Sequence, residues 1–291
     1  MEKLELREVP DPKAGPNEIK VRMAGASINP IDWAVRSGAM QAYMPVELPV
    51  ILGRDASGEV IEVGPGVTAF KIGARVLGRV NSAYAELIVA PTEAWAEVPD
   101  KMDLVDAGAL PLVLLTGTQL IEEAVKPRKG DRVLVTGAIG SVGRVAVFVA
   151  KSKGATVYAG VRGAHRAAAA ELGADAIVAL DDSGEVDRLP ELDSIANTVR
   201  GETITNLLGK VKAGGTIGSV VGEPAGAKER GLVVRSLLAH PDAKRLAELA
   251  RAVADGALVI PIARRFPLQR AGEAQLLAEK GAGGKVLLTA S

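Results

Sequence analysis

Cysteine is absent from all 291 residues, which excludes disulfides, thiolate metal sites and cysteine nucleophiles together. Histidine is nearly absent: His165 and His240 are far apart and outside any H-E-x-x-H arrangement, so no metal site is expected. Net charge is missing too, because 35 basic residues cancel 35 acidic ones and no basic block stands out. Nucleic acid and anionic membrane surfaces are therefore not expected as partners. The opening stretch Met1 to Arg7 has no apolar h-region, and no apolar run reads as long enough to span a bilayer. Together these absences point to a soluble, cytoplasmic chain, long enough for one large or two ordinary domains.

What the chain does contain is a unit of strand, tight turn, helix and strand from Val133 to Arg162. A β-branched run (Arg132 to Thr136) meets glycines, an apolar helical stretch follows (Ser141 to Lys153), and a second β run (Thr156 to Val161) closes it. The turn carries A-x-G-x-x-G at Ala138, Gly140 and Gly143, with Gly137 just before. At such a junction one glycine lets backbone approach a pyrophosphate and another lets helix pack on strand, while the helix start offers free N–H groups and partial positive charge. Gly137, Ala138, Ile139, Gly140, Ser141, Val142 and Gly143 are thus the candidate dinucleotide cradle. The competing reading is a plain strand-to-helix turn.

The end of the second strand selects the coenzyme. NAD-binding units place an acid there, about twenty residues past the first glycine, for the ribose 2′-hydroxyl. Here the neighbourhood is Tyr158, Ala159, Gly160, Val161, Arg162, with Arg166 one turn on and no acid before Glu171. A 2′-phosphate would meet positive charge, and charge-assisted bonds contribute about 1.5–3 kcal/mol each. NADPH is the expected cofactor. Alternatively, both arginines only solvate the start of a surface helix.

Residues 1 to 100 read as short strands, at Glu18 to Ala24, Ala56 to Val63, Arg75 to Val80 and Ala83 to Val89. From Leu104 to Val125 the pattern is helical, with Asp106 as a cap. Beyond the glycine unit, helices (Ala164 to Leu172, Glu202 to Val211) alternate with strands (Ala176 to Leu180, Asp193 to Asn197, Thr216 to Val221, Leu232 to Leu238), which argues for a doubly wound parallel sheet. An amphipathic helix covers Asp242 to Ala254, and the remainder, Leu258 to Ser291, no longer fits the alternation and is expected to return to the first domain.

Several stretches together resemble the medium-chain dehydrogenase/reductase superfamily, in its zinc-free quinone oxidoreductase, zeta-crystallin-like branch. They are Ala26 to Trp33, Arg36-Ser37-Gly38, Leu52 to Val60, Val63 to Val67, Phe70 to Val76, Tyr84-Ala85-Glu86, Leu115 to Thr118, the glycine turn, Glu171 to Asp175 and Gly284-Lys285-Val286, in family order. The resemblance implies an α/β architecture: a GroES-like, β-rich catalytic domain (1–113 and 240–291) plus a Rossmann domain (114–239) with a doubly wound parallel sheet. It also implies a cofactor in the cleft between them and a homodimer joined near Leu232 to Leu238. Zinc-dependent members place ligands at positions that hold Asn29, Arg54 and Leu112 here, no zinc set.

By the same resemblance Asn29 and Thr116 lie beside the nicotinamide, Val199, Val221 and Gly222 pass its ribose and ring, and Lys285 reaches the cofactor. Asp32 completes the Asn-x-x-Asp motif of the catalytic set. Bland roles compete: Asn29 bracing a loop, Gly222 ending a strand, Lys285 as a solvated charge. Family tyrosines are replaced by Ala34 and Leu180, which leaves Tyr43 as proton donor or cleft wall. None of Tyr43, Tyr84 and Tyr158 has a lysine four residues on, which excludes a short-chain reductase. The expected activity is metal-free hydride transfer from NADPH to a small-molecule quinone or α,β-unsaturated carbonyl; the rival is a catalytically weak NADPH-binding structural or regulatory protein.

Overall fold

The computed structural model describes residues 4–290; Met1 to Lys3, at the head of the polar N-terminal stretch, and Ser291 lie outside the described residues. The chain divides into two compact units, Met1–Leu112 with His240–Ser291, and Val113–Ala239.

The first unit is organised on β1 (Glu18–Ser27), whose alternation buries Ile19, Val21 and Met23. Antiparallel to it runs β2 (Asp55–Val63), β3 (Arg75–Arg79) pairs with β2, β4 (Leu87–Pro91) returns to β1, and β5 (Trp95–Glu97) closes on β3. The strand expected at Ala83 begins only at Leu87. Ala83 and Tyr84 instead donate N–H bonds back to the Gly53 and Leu52 carbonyls, so this segment braces the approach to β2. Helix Pro30–Arg36 follows β1 directly, with Pro30 in its first turn, where the missing N–H costs nothing.

Two expectations fail between the units. The cap is Asp103, not Asp106: helix Leu104–Ala107 starts one turn earlier, and the Asp103 carboxylate accepts the Asp106 N–H. Asp106 pairs with Arg265 instead. The helical run Leu104–Val125, 22 residues with an 18-residue window of mean hydropathy 1.6, is long and apolar enough to cross a bilayer. Of that window 72% is buried within the protein, however, as in a core helix. Its last turn, Leu120–Val125, is π-helical and ends at left-handed Lys126.

In the second unit β6 (Arg132–Thr136), β7 (Thr156–Val161) and β8 (Ala176–Ala179) run outward to one edge, while β9 (Leu192–Asn197), β10 (Val211–Ser219) and β11 (Val233–Ser236) run to the other. All pairings are parallel, in the order β11-β10-β9-β6-β7-β8. That is the doubly wound order, whose reversal falls between β6 and β9. Helix Ser141–Ser152 packs on it through buried Val145, Ala146, Val149 and Ala150. The helix expected over Ala164 to Leu172 is broken into short turns, because only Ala169 is buried and no apolar stripe holds a regular helix down.

After helix Ala243–Ala254, capped by Asp242, the chain rejoins the first sheet. There β12 (Ile262–Pro267) lies parallel to β13 (Lys285–Thr289), and β13 pairs antiparallel with β1. Val286 and Leu288 enter the same core as Ile19, Met23 and Trp95.

Candidate active site

The glycine turn follows β6 at the carboxyl ends of the strands. Gly137 has φ +61, and a Cβ there would meet Thr198 Oγ1 at 2.5 Å. A Cβ on Gly143 would lie 2.2 Å from the Gly137 carbonyl oxygen, so only glycine lets helix Ser141–Ser152 start this close to the turn. Gly140 at the N-cap offers no side-chain cap, which leaves the first-turn amides of Ser141, Val142 and Gly143 to an outside acceptor. The Ala138 N–H is taken by the Gly160 carbonyl, tying the turn to β7. Ile139 gives its carbonyl to Arg144, which fixes the turn from the other side.

Beside the turn runs a polar belt across three strand ends. Thr136 Oγ1 donates to Asn197 Oδ1 at 2.9 Å, and Asn197 Nδ2 donates to Ser219 Oγ at 3.1 Å. The Val199 N–H reaches Asn197 Oδ1 and the Val221 N–H reaches Ser219 Oγ, both at 3.3 Å. Gly222 follows at φ +96. Thr116 is partly exposed on helix Pro111–Gln119 and its hydroxyl makes no hydrogen bond among the described residues. The cradle, the belt and Thr116 thus belong to one unit.

The two arginines differ. Arg162 is exposed at the end of β7, and its guanidinium makes no hydrogen bond or ion pair among the described residues. Arg166, expected beside the same phosphate, pairs instead with the Glu185 carboxylate and donates to the Ile177 carbonyl. The structure also brings in an acid that the sequence conceals: Asp181 Oδ1 accepts the Gly163 N–H at 2.7 Å.

In the first unit the predicted residues form a buried polar cluster. Asn29 is 1% exposed, and its amide donates to Ser27 and to Asp55 Oδ2 while accepting from Lys285 Nζ at 2.6 Å. Lys285 also donates to the Ile28 carbonyl and lies 4.0 Å from Asp55. Both side chains are hydrogen-bonded inside the protein, so Lys285 is not the solvated charge of the bland reading. Asp55 accepts from Ser27, Asn29 and the Leu112 N–H. Burial holds Asp55 above the usual carboxylate range, and it holds the Lys285 ammonium below its usual value.

Asp32 sits in the first turn of its helix, where Oδ2 accepts the Asn29 N–H and the Tyr84 hydroxyl, each at 2.8 Å. Burial raises its pKa to about 7, against the lowering effect of those two hydrogen bonds. Burial and the neighbouring Asp32 raise the Tyr84 phenol well above its ordinary value. A Cβ at Gly53, φ +100, would meet the Tyr84 ring at 2.5 Å, so glycine there lets the phenol reach Asp32.

Asp32 opens onto a cavity of about 330 Å³ with Arg54 and Asn81 among its polar lining and Met44, Val46 and Ile51 among its apolar walls. Arg54 donates to Asn81. Tyr43, expected as donor or wall, is 82% exposed and is not among the residues lining this cavity. The phenol beside Asp32 is that of Tyr84, which is partly buried. The signals for this cluster were an acid, Asp55, inside an apolar strand and a glycine, Gly53, before it.

Residues 15–100 match the alcohol dehydrogenase GroES-like domain, and residues 172–288 match the zinc-binding dehydrogenase domain. The solved quinone oxidoreductase from Coxiella burnetii aligns with TM-score 0.87 at 28% identity, over 99% of this chain and 95% of that one. The chain belongs to the medium-chain dehydrogenase/reductase superfamily, in its quinone oxidoreductase branch. The chloroplast envelope quinone oxidoreductase homolog of Arabidopsis thaliana is 33% identical over 60% of this chain and 56% of its own length. Mycobacterial Rv1454c complexed with NADPH aligns with TM-score 0.82 at 28% identity, over 97% of this chain and 94% of that one. The chain spans about half the length of the curated relatives it matches.

One of the matching superfamily domains is named for zinc, but this chain's residues do not fit the metal. The chain has no thiolate, and the positions at which the resemblance sets the zinc ligands hold Asn29, Arg54 and Leu112. Among the described residues no three His, Cys, Asp or Glu side chains gather. A dinucleotide does fit the second unit, where the glycines leave a cradle and the uncapped helix start supplies donors.

Proposed function

We propose that this chain is a zinc-independent, NADPH-dependent oxidoreductase that reduces a quinone or an α,β-unsaturated carbonyl compound. The observation that carries the reading is the uncapped start of helix Ser141–Ser152 behind a turn too tight for any residue but glycine. The exposed, unengaged Arg162 supports a 2′-phosphate, and the names of the quinone oxidoreductase relatives support the acceptor class. A reduced nicotinamide, when bound, supplies the hydride. This chain's residues do the rest: the first-turn amides hold the pyrophosphate, Arg162 holds the 2′-phosphate and the Thr116 hydroxyl orients the carboxamide end. Alcohol oxidation needs its alkoxide stabilised, a role zinc has in other members. Acceptors that are already electron-poor do not.

The purified chain is mixed with NADPH and a panel of quinones, enones and simple ketones while coenzyme absorbance is followed. Oxidation of NADPH is expected with quinones or enones and not with simple ketones. Tight NADPH binding without turnover of any acceptor would reject the reading.

A further inference from the structure

The cavity beside Asp32 has two kinds of lining. Its walls are apolar at Met44, Val46 and Ile51, and its lining also holds a carboxyl, a guanidinium and an amide from Asp32, Arg54 and Asn81, with Arg54 bonded to Asn81 and within the field of Asp32. At about 330 Å³ it suits a small ring compound. The two Asp32 oxygens are not equivalent. Oδ2 accepts two hydrogen bonds, from the Asn29 N–H and the Tyr84 hydroxyl, whereas Oδ1 makes none among the described residues. A proton on this carboxyl therefore belongs on Oδ1, because placing it on Oδ2 would set it against two donors.

We propose that the Asp32 carboxyl is the proton donor to the reduced acceptor, and that Arg54 binds the same acceptor oxygen. This rests on the quinone or enone reading above. Hydride addition reduces the acceptor and leaves an anionic oxygen, the phenolate of a hydroquinone or the enolate of a saturated carbonyl compound. The Asp32 O–H bond breaks as the acceptor O–H bond forms, and the new carboxylate keeps the Asn29 N–H and Tyr84 hydroxyl as donors. Water entering after product release returns the proton. Arg54, anchored on Asn81, stabilises the oxyanion before it is protonated. Tyr84 is a positioning residue that acts through Asp32. The raised pKa of Asp32, about 7, places both protonation states within reach near neutrality. The charged and titratable groups acting on Asp32 are Tyr84, Asp55, Lys285 and Arg54.

The test uses 2,4-dinitrophenolate, an aromatic oxyanion that stays ionised on both sides of neutrality, titrated into the full chain by its visible absorbance. Wild type is expected to bind it about tenfold more tightly at about pH 6 than at about pH 8, because neutral Asp32 donates to it and ionised Asp32 repels it. Asp32→Asn, which still accepts from Asn29 and Tyr84, removes that pH dependence. Arg54→Met weakens binding about tenfold or more at both pH values. Tyr84→Phe removes one hydrogen bond to the carboxylate and moves the midpoint to higher pH. Absence of binding, a pH-independent wild type or a wild-type profile in Asp32→Asn overturns the assignment. Turnover of 1,4-naphthoquinone with NADPH is measured on the same samples. A wild type that reduces no acceptor rejects the function, while the dinitrophenolate titration still decides the roles of Asp32 and Arg54.

Discussion

Arg162 and Asp181 face the coenzyme question from opposite sides. The guanidinium is exposed and unengaged, while the carboxylate is tied to the Gly163 N–H next to it in the chain. Arg162→Asp is expected to lower the ratio of NADPH to NADH use about tenfold or more, as measured by kcat/KM for each coenzyme. Arg166→Ala should leave the ratio almost unchanged, because Glu185 and the Ile177 carbonyl already hold that side chain. An unmoved ratio in Arg162→Asp would place the 2′-phosphate elsewhere. The sequence displays both arginines but not their difference. Glu185 and Asp181 come from beyond the next strand, and only folding sets them beside the loop after β7. The same holds for Tyr84, a residue without local distinction until Gly53 admits its ring to Asp32.

At the scale of elements, the glycine unit was legible because each part obeys a local rule. β-branched runs make the strands, an apolar stripe makes the helix, and glycines mark the junction. Its helix begins at Ser141 and its strands end at Thr136 and Val161, as the pattern predicts. Gly143→Ala should lower NADPH affinity by more than tenfold and lower Tm, since its Cβ would press on the Gly137 carbonyl and force the helix off the turn. Isothermal calorimetry with NADPH and a thermal melt check both; unchanged affinity would mean that the turn does not cradle the coenzyme. Where no stripe exists, the pattern misleads. The alanine-rich stretch after Gly163 has helical propensity but almost nothing to bury, and it breaks into single turns. Two acids three residues apart, Asp103 and Asp106, are equally good caps on paper. The Asp106 N–H bonded to Asp103 decides between them.

For the whole molecule, the buried carboxyl of Asp32 ties stability to pH. Its pKa is raised from 3.8 to about 7, so the folded chain keeps a proton that the unfolded chain releases between those values. Stability therefore falls as pH rises through that window, and the loss is complete above about 7. Calorimetric Tm of Asp32→Asn relative to wild type should be higher at about pH 8 than at about pH 5. A difference that does not change with pH would show that Asp32 ionises normally. Composition and local pattern by themselves determined that cysteine chemistry is impossible, that a strand, a glycine turn and a helix follow one another from Arg132 to Ser152, and that the chain alternates into a doubly wound sheet, because these follow from residue types and short spacings. Only the tertiary structure decided which polar groups are spent and which are available. Asn29, Lys285 and Arg166 are consumed by partners distant in sequence, whereas Asp32 and Arg54 line a cavity and Arg162 stays unengaged. Whether a charge is paired or available depends on three-dimensional neighbours, which no local pattern records.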